Sequence, residues 1–481
     1  MASTEPVAAP RRAAHPVIVL ISITVVFGMA LVVLWQWLDT KAYVAADTVV
    51  AAAPPASALS TPVLSVRRAP ATLSFAANEA PFVAALAPLV ERVGSSSCLA
   101  VSVDGQRVAA VNDVAPVLPA STMKLVVAPV GLDVLGADFR YRTAVNASVG
   151  DGGVVAGDLV LVGGGDPVLT SKAWATNGFQ RYPPIEITSA EALADSVRAA
   201  GVTRIDGSVV GDGSRYDDER FNPTWSAGIR VTEAGPIGGL VIDDGRSGGV
   251  VADDPALGAA QVFTRLLRDR GITVGGQPQA RAGSAADGAP EIASIESAPL
   301  TAIVREMLET SDDNTAEMLV KELGVASAAT GSTTAGLGVI NARLAEWGVP
   351  TDGITLVDGS GLSRDGRLTC AALLTLLERD PVDGPVTQGL AVAATTGTLQ
   401  PEFVGTAMAG VLRGKTGSLT DVKTLAGVVP AAGDVTIRFA LLLNEAGINE
   451  TTAYRPVWEQ ILAPALATYP SSATPDQLAP R

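Results

Sequence analysis

Histidine is almost absent from this chain. Among 481 residues there is one, His15, close to the N-terminus. A Ser-His-Asp triad, a Cys-His pair and a histidine-ligated metal site are therefore excluded from the body of the protein. Any proton chemistry must run on Lys, Asp, Glu, Tyr or water. Lysine is scarce too, with six, at positions 41, 124, 172, 321, 415 and 423. The two cysteines, Cys98 and Cys370, are too few for a zinc site or a disulfide-dense scaffold. Aromatic residues make up 4% against 48% apolar, so the core must be built mostly from Ala, Val and Leu. Bases fall short of acids, 34 to 49, giving a net charge of −15. A phosphate-neutralising surface needs the opposite balance, which argues against nucleic acid as a partner.

What the chain does have is one long apolar run. Residues 17–38 (VIVLISITVVFGMALVVLWQWL) carry no charge, and at about 1.5 Å per residue they can cross a bilayer core. Arg11 and Arg12 precede the run, while Asp39 and Lys41 nearly cancel after it. The positive-inside bias places the N-terminus in the cytoplasm and the rest outside. The run is long for the apolar part of a signal peptide, so an uncleaved anchor is expected; the rival is cleavage near Val44-Ala45-Ala46. The expected organisation is a cytoplasmic tail over 1–16, a transmembrane helix or signal-anchor over 17–38 and an Ala/Pro-rich linker over 39–77. A globular body follows, and the chain ends in a disordered tail over 470–481.

Within the body, Cys98–Val103 alternates as a strand, Asp104-Gly105 is a turn, and Arg107–Val111 returns. Helices are expected over 117–132, 189–201, 256–271 and 369–378, with one long helical stretch over 301–323. Residues 424–429 and 435–443 read as a hairpin. Gly163-Gly164-Gly165-Asp166 reads as a tight turn rather than a nucleotide cradle, because Pro167 and a polar stretch follow it instead of a helix.

Without histidine, a nucleophile must be activated by something else. Ser121-Thr122-Met123-Lys124 is the only Ser-x-x-Lys in the chain, at or just inside the start of an apolar helix. Positions i and i+3 share a helix face, so the Lys124 amine can reach the Ser121 hydroxyl. Enclosure in an apolar helix lowers a lysine pKa towards a useful range, and the helix N-terminus favours negative charge at Ser121. Taken alone, such a tetrapeptide is a weak signal; a surface lysine one turn after an N-cap serine looks the same. Two further elements strengthen it. Lys415-Thr416-Gly417-Ser418 directly precedes the hairpin and can line a cleft, offering a cation and hydroxyls for a substrate carboxylate, with a glycine that lets another backbone approach. The backbone N–H groups of Ser418 and Ser121 can form an oxyanion hole. Ser311-Asp312-Asp313-Asn314 offers a second hydroxyl and a carboxamide.

These three elements, in this order, resemble the active-site set of penicillin-binding proteins and serine β-lactamases. With Leu161-Val-Gly-Gly-Gly-Asp-Pro167 and Asp358-Gly-Ser-Gly-Leu-Ser-Arg364, the sequence more specifically resembles the D-alanyl-D-alanine carboxypeptidase/endopeptidase family, the low-molecular-mass class C penicillin-binding proteins (peptidase family S13), over about residues 95 to 460. The resemblance implies Ser121 as acylated nucleophile and Lys124 as its base. It implies Ser311 as proton relay to the leaving amine, assisted by Lys415. Lys415, Thr416, Gly417 and Ser418 would bind the substrate carboxylate, and Leu362, Arg364 and Leu419 would wall a diaminoacid pocket. It also implies peptidoglycan stem peptides as substrate, β-lactams as covalent inhibitors, and no metal or organic cofactor. No Glu-x-x-Leu-Asn segment is present, so rapid β-lactam turnover is not expected.

One position departs from the family pattern of Ser-x-Asn followed two residues later by Ala-Glu. Ala316-Glu317 keeps its spacing from Ser311, but Asp313 stands where Asn is expected and Asn314 sits one residue late. Either could fill the role. An acid beside Lys124 would hold the lysine charged. A silent peptidoglycan-binding protein of the same fold is thus the alternative.

The 190 residues between Ser121 and Ser311 are too many for one connection and must hold an inserted domain. The expected fold class is α/β: a β-lactamase/transpeptidase-like antiparallel sheet flanked by helices, assembled from 78–145 and 295–469, with a mostly-β insert over 146–294. Cys98 and Cys370 fall in the exported part, where such a pair often bonds; the alternative is two small buried side chains.

Overall fold

The computed structural model describes residues 28–38, 69–177, 181–247, 249–281, 288–431 and 435–469. Of the expected membrane segment, 17–27 lie outside the described residues, as do 1–16, 39–68 and the tail 470–481. Gly28–Leu38 is an apolar helix whose Leu31, Trp35 and Trp37 are exposed. Among the described residues no single helix is long and apolar enough to cross a membrane. The next helix runs Ala69–Arg92, so the last part of the segment read as linker is helical.

The body is organised by a six-stranded sheet in the order Ala391–Val392, Arg413–Leu419, Val422–Pro430, Thr436–Asn444, Cys98–Val103, Gln106–Val111. Every neighbouring pair is antiparallel. As expected, both ends of the body build it: the Cys98–Val103 strand pairs with the C-terminal hairpin, Ala100 opposite Ala440. Asp104 and Gly105 both take positive φ, which suits the tight turn between the first two strands.

Strand alternation sorts the side chains by size. Leu99, Val101, Phe439, Leu441 and Leu425 face one way and pack against Phe82, Leu86 and Trp458. Cys98, Ala100, Ala440 and Ala426 face the other way, against helices Lys124–Leu135, Leu300–Thr310 and Cys370–Arg379. Ala100, Ala440 and Ala426 are direct cross-strand neighbours. This row of small side chains lets the helical layer come close to the sheet. Cys98 lies beside that row and is disulfide-bonded to Cys370, with a Cα–Cα distance of 5.9 Å. Each large apolar side chain buried in either layer contributes about 1.5–3 kcal/mol.

Three local expectations change. Residues 117–132 are not one helix. Val117 bridges to Leu368, and the α-helix begins only at Lys124, after a 3₁₀ turn over Ala120–Met123. Pro119 disfavours helical backbone at the residue before it. The stretch 301–323 is two helices, Leu300–Thr310 and Asp313–Ala328, broken at Ser311. Ser311 is left-handed (φ 68°), and the Asp312 carboxylate accepts the Thr315 N–H as N-cap of the second helix.

The third change is the insert, which is α/β rather than mostly β. Its five-stranded sheet runs Gln279–Arg281, Val209–Asp212, Leu159–Val162, Arg142–Asn146, Glu291–Glu296, and Arg142–Asn146 and Glu291–Glu296 cross the expected boundaries. Two of its four pairings are parallel. Parallel pairing requires crossovers, and helices Ala190–Ala199 and Pro255–Asp269 pack their Leu193, Val197, Phe263 and Leu267 into that core. Gly163 and Gly164 serve close packing just past the end of the central strand, Leu159–Val162. A β-carbon on them would lie 2.2 Å from the Gly239 carbonyl oxygen and 2.0 Å from that of Arg142.

Candidate active site

Ser121 sits in the 3₁₀ turn that starts the buried helix, at the bottom of a cleft of about 810 Å³ between the body's sheet, its helices and the insert. Its backbone is held from two sides. Ala120 before it is strained (φ 46°). A β-carbon on Gly361 would lie 1.9 Å from the Ala120 carbonyl oxygen, and one on Gly417 would lie 2.9 Å from Ser121 N. Both approaches are open only to glycine. The Thr424 hydroxyl donates to the Pro119 carbonyl at 3.0 Å, tying the turn to the sheet. A non-glycine residue at positive φ costs on the order of 1–3 kcal/mol and persists only where its surroundings over-determine it.

Lys124 is completely buried one turn on. Its Nζ donates to Ser121 Oγ at 3.2 Å, to Asp313 Oδ1 at 2.6 Å and to the Ser360 carbonyl at 3.0 Å. The third contact exists because the Asp358–Ser363 loop is cinched from behind. Buried Asp358 accepts N–H groups from Trp225, Gly361 and Ser363, and buried Glu317 accepts those of Gly359 and Ser360. Burial, then the charge of Asp358, pushes the Glu317 carboxyl up to about 8, and burial raises Asp358.

The choice between Asp313 and Asn314 is decided by the helix break. Asp313 opens the second helix facing Lys124, whereas Asn314 is turned to the insert and accepts the Gly235 N–H at 2.9 Å. Burial pushes the Asp313 carboxyl up to about 6, with Lys124 pulling the other way. Ser311, at the break, lines the cleft beside it.

Lys415 lies opposite Ala426, in the alanine row that faces the helical layer. It is fully buried, and its Nζ donates to the Thr416 carbonyl at 2.9 Å. Burial, reinforced by the charge of Lys124, holds its ammonium well below the ordinary lysine value. Thr416, Gly417, Ser418 and Leu419 border the cleft. Leu362 packs with Leu419 against Trp225, and Arg364 donates to the Thr420 carbonyl at 2.9 Å. Lys124 contacts Ser121, and Ser311, Asp313, Leu362, Arg364, Thr416, Gly417, Ser418 and Leu419 line the cleft with it; Lys415 is buried behind its wall, Asn314 reaches the wall but bonds into the insert, and the two cysteines lie elsewhere.

Lys423 was missed. It stands opposite Ser418 across a two-residue turn and donates to Ser418 Oγ at 3.1 Å. Its ammonium lies over the Tyr454 ring, 4.1 Å from the centroid. Burial lowers it to about 8. The signal was present: Leu419 and Val422 flank a two-residue hairpin turn, which fixes the residue paired with Ser418.

The chain is similar to known proteins over most of its body. The family model described as D-Ala-D-Ala carboxypeptidase 3 (S13) matches residues 91–248 and 246–463. Carboxypeptidase DacB of Mycolicibacterium smegmatis is 32% identical over 355 residues, 70% of this chain and 74% of that protein. A D-alanyl-D-alanine carboxypeptidase of Actinomadura sp. is 30% identical over 398 residues, 65% of this chain and 71% of that one. Among solved structures, penicillin binding protein 4 of Haemophilus influenzae superposes with a TM-score of 0.66 at 19% identity, covering 80% of this chain and 99% of the other.

Proposed function

Because the chain belongs to the D-Ala-D-Ala carboxypeptidase 3 (S13) family, we propose that its cleft carries out serine D,D-peptidase chemistry on peptidoglycan stem peptides. The observation that carries this reading is the contact between half-buried Ser121 and a fully buried lysine, Oγ to Nζ 3.2 Å, at the floor of an open cleft. A binding module has no use for a nucleophile paired with a buried amine.

In this reaction Ser121 Oγ attacks the carbonyl of the penultimate D-Ala, and the Lys124 amine receives the hydroxyl proton. The backbone N–H groups of Ser121 and Ser418 stabilise the oxyanion. The C–N bond then breaks. Ser311, assisted by Lys415, returns a proton to the departing amine, which is D-Ala in carboxypeptidation or a cross-linked peptide in endopeptidation. Water releases the acyl group. A β-lactam presents the same carbonyl in a strained ring, so the leaving nitrogen stays tethered and the adduct persists. Lys415, Thr416 and Ser418 receive the substrate carboxylate, with Leu362, Arg364 and Leu419 along the side-chain pocket.

The reading extends to location. The charge-free run at 17–38, preceded by Arg11 and Arg12, supports a single membrane anchor with the catalytic body outside the cytoplasm. A disulfide at Cys98–Cys370 suits an oxidising compartment.

The test is intact-mass spectrometry of the full-length chain after incubation with a penicillin, beside Ser121→Ala. One stable adduct on the wild type, absent from the variant, is expected, followed by release of D-Ala from a stem pentapeptide. A folded wild-type protein that takes no adduct would overturn the reading in favour of peptidoglycan binding without turnover.

A further inference from the structure

Three acceptors surround Lys124 Nζ: Ser121 Oγ at 3.2 Å, Asp313 Oδ1 at 2.6 Å and the Ser360 carbonyl at 3.0 Å. An ammonium has three N–H donors and no lone pair, which these three neighbours satisfy; a neutral amine could take the Ser121 O–H on its lone pair instead, but it would leave the Asp313 carboxylate, 2.6 Å away, without an opposite charge. The resting lysine is thus held as an ammonium, in a salt bridge with a side chain that is itself largely buried. An ammonium cannot take a proton from Ser121 unless it gives one up. Of its three neighbours, Ser121 is the proton donor and the Ser360 carbonyl is no base. The Asp313 carboxylate is what remains.

Resting on the serine-peptidase reading above, we propose that Asp313 is the terminal proton acceptor of the acylation step, acting through Lys124. The Nζ–H bond that points at Asp313 breaks and an Oδ1–H bond forms, and the amine turns about Cε–Nζ so that the freed electron pair faces Ser121. As the Ser121 Oγ–H bond then breaks, an Nζ–H bond forms there. The Oγ electron pair makes the bond to the substrate carbonyl carbon, whose π pair moves to oxygen. Lys124 is an ammonium before and after, beside the developing negative charge. When the tetrahedral intermediate collapses, the proton held on Asp313 is available for return. The asparagine that the family pattern places at this position cannot accept a proton in this way. The substitution therefore changes which group is the base, not only how the lysine is oriented.

The surroundings of Asp313 fit an acceptor working near neutral pH. Lys124 faces it from the nucleophile helix, Asp312 precedes it on its own helix, Glu233 approaches from the insert, and Lys415 lies across from it on the sheet. Burial raises its proton affinity, the two acids add to that, Lys124 opposes them, and the outcome is a carboxyl at about 6. It is ionised at neutral pH yet readily protonated.

The experiment is the acylation rate constant with a penicillin, followed from pH 4.5 to 9 for the wild type, Asp313→Asn and Asp313→Glu. The wild type should lose rate about tenfold per pH unit below the Asp313 carboxyl, because a protonated acid accepts nothing. Asp313→Asn should lose that acidic limb and need a neutral lysine. Its rate should be about tenfold or more lower at neutral pH and recover at alkaline pH. Asp313→Glu should keep an acidic limb. A wild-type profile flat through pH 6 overturns the inference even where the variants fail to fold. So does an Asp313→Asn protein as fast as, or faster than, the wild type at neutral pH, which makes Asp313 a clamp on the lysine. In both cases the adduct still forms, so the parent reading stands; absence of an adduct on the wild type at every pH overturns both.

Discussion

Gly417 stands against Ser121 so closely that a β-carbon on it would lie 2.9 Å from the serine's backbone nitrogen, 2.9 Å from Ala120 Cβ and 2.3 Å from Thr424 Oγ1. Strand and nucleophile turn are thus locked together beside the backbone N–H groups proposed for the oxyanion hole. Gly417→Ala is expected to push the Ala120–Met123 turn away from the strand. A displacement of about 1 Å in such a site costs about 100-fold in rate, and overpacking costs about 1–3 kcal/mol of stability. Penicillin acylation kinetics with thermal melts separate the two effects. An alanine variant that acylates at the wild-type rate would show that the turn is free to adjust.

Lys423 adds a positive charge to the cleft wall, held over Tyr454 and bonded to Ser418. Stem peptides end in a carboxylate, so Lys423→Met should raise KM by about tenfold, the worth of one charge-assisted hydrogen bond, with a smaller change in kcat. Because burial lowers the ammonium to about 8, the wild-type KM should rise as pH passes through that value. The variant's KM should stay level there. A KM that rises equally in both proteins assigns the titration to another group.

The Cys98–Cys370 disulfide joins the central sheet to the helix behind it across 272 residues of sequence. Removing a cross-link of this kind costs on the order of 2–5 kcal/mol. Cys98→Ala with Cys370→Ala, or reduction of the wild type, should lower Tm by several degrees while the cleft remains competent for acylation, since neither cysteine borders it. Unchanged melting in the presence of reductant would show that the bond is not a restraint in solution.

Glu317 ties the Asp358–Ser363 loop to the helix from a buried position, with its carboxyl pushed from an ordinary value of 4.5 up to about 8. An acid whose pKa is raised on folding binds its proton more tightly in the native state. Its contribution is complete below about 4.5 and is lost as pH rises through about 8. Tm should therefore decline across that interval. Glu317→Gln, which keeps the N–H contacts with a carbonyl oxygen, should flatten the decline. A wild-type Tm that holds level over the same range contradicts the burial argument.

Much of the site was legible without coordinates because it depends on short spacings. Ser121 and Lys124 are one helical turn apart, so their contact follows from helix geometry as soon as that segment coils. The strand carrying Lys415 is recognisable from the hairpin that follows it. The absence of histidine from the body directed attention to lysine as the base. The break at Ser311 was missed because the apolar positions of 301–323 fit a helical period on both sides of it. The polar Ser-Asp-Asp-Asn run inside carries both site residues and an N-cap, and its site signal masks the capping one. The insert reads as mostly β because its strands are short and turn-rich, and nothing local marks its two amphipathic helices as crossovers between parallel pairs.

The sequence by itself determined the nucleophile and its lysine, the cross-linked pair of cysteines as candidates, and the strands and helices whose periodicity is local. Only the tertiary structure decided that Asp313 rather than Asn314 meets Lys124, that the alanine row admits the helical layer, and that Cys98 and Cys370 bond. Each of these depends on residues brought together over long separations: from 124 to 313 for the ion pair, from 98 to 370 for the disulfide. Local propensity cannot encode such contacts. They are fixed when the sheet, the helices and the insert pack against one another, because burying their apolar faces leaves one arrangement in which the buried charges also find partners.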